Sequence, residues 1–245
     1  MNPLWMALGT LTALRVPAPS RVDRVVAGTA MILAPLAGIL VGLPAVGIVA
    51  LGRWIEAPPL LVAAIAVAAI ALSSRGLHLD GLADTADGLA ASYDRQRALG
   101  VMRRGDTGPA GTATVVLVLL IQVAALSTVV DRLWPLLIAV TAGRSVLSTA
   151  CARGVPAARP DGLGATVAGS VPPWAALGVA AVSVAGAALL TAPWWAGAVA
   201  VAAAYAAAAV LLRRCVTRLG GVTGDVLGGC VEVAVAAALV VLAVA

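Results

Sequence analysis

The sequence predicts an all-α, polytopic integral membrane protein: about seven transmembrane helices, a short N-terminal helix at the interface, and an acidic helix in a cytoplasmic loop. Three observations carry this. Hydrophobic residues fill 62% of the 245 positions and charged residues only 11%, against about a quarter charged in a soluble domain. The mean hydropathy is +1.04, and the apolar residues fall in long runs parted by short polar loops, as a hydrocarbon solvent demands. Arginine-rich and arginine-poor loops alternate along the chain, the mark of a multi-span protein. Residues 1–245 are expected to form a single membrane-embedded domain.

Seven segments can each cross about 30 Å of hydrocarbon, allowing for tilt: Val25–Leu51, Pro58–Ser74, Pro109–Val130, Leu133–Ala152, Trp174–Leu190, Trp194–Leu212 and Val226–Ala245. The first holds Pro35, Gly38, Gly42, Pro44 and Gly47, which predicts a kink or break. Small residues dominate Ala63–Ala71 and Ala202–Ala209, allowing the close backbone approach by which membrane helices pack. Asn2–Leu14 reads as the interfacial helix, continuing through the stiff Arg15–Pro19 segment; it lacks the basic start of a secretory signal.

Charge sets the expected orientation. With the N-terminus inside, the cytoplasmic segments hold Arg15, Arg21, Arg24, Arg75, Arg95, Arg97, Arg103, Arg104, Arg153, Arg159, Arg213, Arg214 and Arg218. The other side holds only Arg53 and Arg132, and Arg144 falls within a span. This asymmetry places the C-terminus outside. The net charge of +5 is thus topological, and with six Trp, two Tyr and no Phe there is no platform for stacking nucleic acid bases. The three cysteines lack metal-ligand spacing and read as small buried hydrophobes.

The longest polar stretch, Arg75–Gly108, should carry the chemistry. Asp80, Asp84 and Asp87 are spaced i, i+4, i+7, a stripe of about 60° on a helix. Three like charges there repel, and a divalent cation would offset the repulsion. Mg²⁺ suits carboxylate oxygens and is typically completed by substrate phosphates. The plainer reading is a solvated acidic face paired with arginines. Gly81 and Gly88 leave room for backbone or ligand beside the stripe. His78, the only histidine, points away from the stripe if the helix begins before it, and reads as structural before it reads as a base.

A second constellation opens the last span: Gly220-Gly221-Val222-Thr223-Gly224-Asp225, then Glu232 seven residues on. The Gly-rich turn before a helix N-terminus suits phosphate or a metal-bound oxygen, which makes Thr223 and Gly224 candidate phosphate binders and Asp225 a further metal or phosphate ligand. An N-cap would also explain Thr223 or Asp225. Glu232 lies deeper, where a carboxylate is costly, and is the expected partner of Arg144. Arg144 reads equally as that ion pair or as a phosphate clamp. Glu232, Asp225 and Arg144 are expected to share one cavity with the Asp80 stripe. Carboxylates plus arginines on one face describe a phosphoryl-transfer site.

At this point the residues resemble a known family. Gly76-Leu-His-Leu-Asp-Gly-Leu-Ala-Asp-Thr-Ala-Asp-Gly-Leu89 is similar to the hallmark of the cobalamin synthases. Arg15-Val-Pro-Ala-Pro19, Pro35–Gly42, Met102-Arg103 through Gly108 and Gly111, Gly143-Arg144, Ala158-Arg159 with Gly162-Leu-Gly164, and Gly221–Gly228 follow in the family's order. Arg104 and Asp106 depart from it, their charges exchanged. The resemblance implies transfer of α-ribazole or its 5′-phosphate onto adenosylcobinamide-GDP, with release of GMP and with Mg²⁺ as cofactor. It implies Asp80, Asp84, Asp87 and Asp225 as catalytic and metal-binding residues, and substrate contacts from Arg15, Arg103 and Arg159 beside Arg144. It also implies the plasma membrane of a prokaryotic cell, with lipid and small-molecule substrates as partners and room for a homo-oligomer. The alternatives are a CDP-alcohol phosphotransferase-like lipid synthase, whose Ala-Arg pair is replaced here by Ala83-Asp84, and a transporter, for which no internal repeat is found.

Overall fold

The computed structural model describes residues 2–245, which form twelve helices and no strands beyond two isolated bridges. The N-terminal helix α1 (Asn2–Leu11) ends before the Arg15–Pro19 segment, which lies outside any helix. The first expected span is broken, at Leu33, into α2 (Arg24–Ile32) and α3 (Ala34–Trp54). Asp23 caps α2 by accepting from the amides of Val25 and Val26 at 3.0 and 2.9 Å, and Pro35 sits in the first turn of α3, where its missing N–H costs nothing.

Next, α4 (Pro59–Ser73) and α5 (Leu77–Ala91) meet at 88°. Arg75 and Gly76, both at positive φ, make that corner. If α4 runs through the membrane, α5 therefore lies along its face, with the short α6 (Arg95–Met102) after it. The remaining long helices are α7 (Pro109–Ser127), α8 (Trp134–Ala150), α10 (Pro173–Leu189), α11 (Trp194–Leu219) and α12 (Gly224–Val244), with a one-and-a-half-turn α9 (Gly162–Val167) before α10.

Four helices, α3, α7, α11 and α12, are long and apolar enough to cross a membrane alone, or five crossings if the bent pair α4–α5 is counted as one. The expected seven is thus not reached by length and hydropathy: α4, α8 and α10 have only 15, 17 and 17 residues. The centre of the bundle is α12. It packs against α5, α7, α8 and α11, and 72% of its span is buried, against 22–39% for the other three. Glycines let it sit close. A Cβ on Gly143 of α8 would lie 3.1 Å from the Val231 carbonyl. All three cysteines are free and buried, as expected.

Candidate active site

One end of the bundle gathers the α5 helix, the N-termini of α2, α7 and α12, the C-termini of α8 and α11, and the loop between α8 and α10. Arginine side chains stitch these parts together through carbonyl oxygens. Arg95 donates to Ala158 at 2.9 Å, Arg159 to Leu99 at 2.8 Å, Arg218 to Ser92 at 2.7 Å and Arg75 to Gly9 at 2.9 Å. Arg218 also lies over the Tyr93 ring, 3.9 Å from its centroid. The structural use of Arg95 and Arg218 could not be read from sequence, because their acceptors are backbone oxygens on distant segments.

The acidic helix α5 crosses α12 backbone to backbone. A Cβ on Gly81 would stand 2.7 Å from the carbonyl oxygen of Asp225 and 2.9 Å from its Cα, and one on Gly228 would stand 3.1 Å from the Cα of His78. Only glycine permits that approach, so the room beside the stripe at Gly81 is filled by the α12 backbone. At Gly88 it is filled by the Met102 side chain. The crossing brings Asp80 and Asp84 to Asp225. Asp84 is buried and Asp80 exposed. Burial first, then the charges of Asp225, Asp80 and Asp87, push the Asp84 carboxyl up to about 6, and Arg159 opposes this only in part. Arg159 stands 3.9 Å from Asp225, and its Nε is enclosed without a partner.

This charge excess, made of hard oxygen donors, fits a magnesium ion in kind. Among the described residues no three His, Cys, Asp or Glu side chains converge as a ready-made metal cluster. An ion that keeps waters and takes ligands from a substrate phosphate does not need one.

Asp87 is placed differently from its stripe-mates. Its two oxygens accept from the amides of Gly108 at 2.7 Å and Gly111 at 2.8 Å. The N-cap of α7 is Gly108, which has no side chain to do this; Asp87 supplies the missing cap from across the chain. Helical spacing put it on the stripe, and the chain geometry gives one acceptor site of each of its oxygens to α7.

A cavity of about 180 Å³ opens beside the crossing, lined by Asp80, His78, Gly224, Asp225, Met31 and Leu163 among others. Thr223 caps α12, accepting from Val226 at 3.2 Å and donating to Asp225 at 3.1 Å, so the N-cap reading of this turn holds and Gly224 is left at the cavity wall. Arg103 pairs with Asp161 at 2.6 Å on the exposed surface. Arg15 is exposed in the irregular segment after α1. Arg104 and Asp106 are both exposed.

Arg144 and Glu232 correct the shared-cavity expectation. Arg144 is 0% exposed and takes no part in lining the cavity. Its Nη2 lies 3.3 Å from His78 Nδ1. Glu232 instead accepts from the Gln122 amide at 2.9 Å. The two charges are near enough to attract but form no direct pair within 4.0 Å. Gln122 is the residue the sequence reading missed; its signal was a single amide within the apolar α7.

The family model described as cobalamin-5-phosphate synthase matches residues 3–243. An adenosylcobinamide-GDP ribazoletransferase of Nocardioides sp. is 50% identical over 242 residues, covering 98% of this chain and 97% of the relative. Enzymes of the same name from Frankia casuarinae and Pseudomonas aeruginosa are 42% and 37% identical, over 97% and 99% of this chain and 92% and 98% of their own. No solved structure matches.

Proposed function

The chain belongs to the cobalamin-5-phosphate synthase family, and from that premise we propose that it transfers α-ribazole or its 5′-phosphate onto adenosylcobinamide-GDP. In this reaction a ribose hydroxyl releases its proton to solvent as its oxygen forms a new bond to phosphorus, the phosphoanhydride bond breaks, and GMP leaves with the bridging oxygen. The observation that carries the reading is the Gly81–Asp225 backbone crossing, which assembles Asp80, Asp84 and Asp225 from segments 141 or more residues apart in sequence.

Asp80, Asp84 and Asp225 would hold Mg²⁺. When bound, the ion would neutralise charge on the anhydride oxygens. The chain's own groups do the rest. Arg159, held by Leu99 and 3.9 Å from Asp225, sets a positive charge beside the carboxylates, where it would offset phosphate charge. Thr223 fixes the Asp225 carboxylate and the first turn of α12. Asp87 anchors α7 to α5, which keeps the acidic helix rigid. The corrinoid is far larger than the 180 Å³ cavity, so only the reacting phosphate end enters it.

The test is incubation of detergent-purified protein with adenosylcobinamide-GDP, α-ribazole phosphate and Mg²⁺. GMP and a corrinoid product should appear together and vanish with a chelator. Absence of GMP with every divalent cation tried, on intact substrate, would refute the reading.

A further inference from the structure

His78 and Arg144 are buried groups that the scheme above does not use. A guanidinium at 0% exposure within an apolar bundle is costly, and two of its nitrogens, Nε and Nη1, have no partner. Its one side-chain contact within hydrogen-bond distance is with His78 Nδ1, at 3.3 Å.

An arginine can only donate. The Nδ1 atom that faces it must therefore accept, which leaves the ring proton on Nε2. A doubly protonated ring would set donor against donor. Nε2 has no protein partner, yet it is not among the enclosed unpaired atoms, and His78 lines the cavity that holds Asp80 and Asp225. The His78 backbone lies close against α12, where a Cβ on Gly228 would stand 3.1 Å from the His78 Cα, and Arg144 is backed by α3, where Gly38 leaves space for its Cβ.

We infer that His78 is a fixed hydrogen-bond donor, its Nε2–H presented to an anionic phosphate oxygen in the cavity, and that Arg144 is the positioning residue that locks this tautomer. This rests on the reaction proposed above, and it assigns His78 a role other than base: the ring keeps its proton throughout. A neutral N–H aimed at developing charge stabilises it without reorganisation.

The test uses the full-length protein in detergent, labelled with ¹⁵N-histidine and purified through a tag free of histidine. The chain's one histidine then gives the only imidazole signal, and two-bond proton–nitrogen correlations distinguish the Nε2–H tautomer from Nδ1–H and from imidazolium. The wild type should show Nε2–H, and Arg144→Met should lose the fixed tautomer. His78→Gln, whose amide N–H reaches near the position of Nε2, should release GMP within about tenfold of the wild-type rate. His78→Leu should fall by about 10²–10³-fold in kcat, as when one such donor is removed.

An Nδ1–H or charged ring overturns the inference, and so does a His78→Leu enzyme as fast as wild type. If His78→Leu does not insert, the wild-type tautomer and the His78→Gln rate decide. A wild type with the expected tautomer but no GMP release overturns the substrate role together with the reaction, and the spectrum separates that result from failure of the tautomer lock alone.

Discussion

Asp84 and Asp87 are three residues apart on one helix and do opposite things to stability. The Asp84 carboxyl is pushed from 3.8 up to about 6, so the folded state holds that proton more tightly than the unfolded state does. Between about pH 4 and 6, stability from this group falls as pH rises, and at neutral pH its charge is a net cost. Asp84→Asn should therefore raise the Tm of metal-free protein at neutral pH by about 2–4 °C, the scale of 1 kcal/mol in a chain of this size, while abolishing GMP release. Added Mg²⁺ should raise the Tm of wild type and not of the variant. Thermal unfolding in detergent measures both, and a lower Tm for Asp84→Asn would reverse the assignment. Asp87→Asn has the other sign. It keeps one acceptor for the Gly108 and Gly111 amides and loses the charge, so it should cost about 1–2 kcal/mol. Hydrogen exchange should show the loss concentrated in the first turn of α7. If Asp87→Asn leaves that turn protected, the cap is not what holds it.

Between elements, the contact that matters is α5 on α12. Gly81→Ala puts a methyl 2.7 Å from the Asp225 carbonyl oxygen, which the two backbones can relieve only by parting. A misplacement of about 1 Å at a reacting centre costs about 10²-fold. We expect Gly81→Ala to insert normally and to lose about that much activity. Gly100→Ala in α6, which meets nothing within 4 Å, should match wild type and serves as the control. Equal rates for the two variants would show that the crossing does not set the site. The same scale explains the broken first span. Its glycines and prolines announced an interruption, and the break falls at Leu33, with Pro35 in the first turn of α3, while Pro44 lies inside that helix without ending it.

For the whole molecule, the thirteen-to-two arginine asymmetry predicts a cytoplasmic site end and an external C-terminus. The native cysteines are buried, so introduced ones can be labelled selectively in intact cells. A cysteine replacing Arg132 should react with an impermeant thiol reagent, and one replacing Arg95 should not. The reverse pattern would invert the protein. The site end is also where arginines bind carbonyls across segments. These contacts hold loops together as well as orienting the chain, so charge count predicts topology but overstates how many arginines are free for substrate. Arg95, bound to the Ala158 carbonyl, and Arg218, bound to that of Ser92, are the two clearest cases.

Composition and the arginine pattern by themselves determined that this is a helical membrane protein, because hydrocarbon leaves the backbone few other ways to satisfy its hydrogen bonds. The hallmark from Gly76 to Leu89 and the motifs around it were enough to place the chain in its family. Helical spacing also put Asp80 and Asp84 on one face correctly, since that geometry is local. Tertiary structure alone decided the rest. That Asp87 accepts from the amides of α7, whether Arg144 meets Glu232 or His78, and which residue answers Glu232 all depend on which distant segment lies opposite. Spacing along one helix gives an angle about its own axis, and only packing decides what stands at that angle.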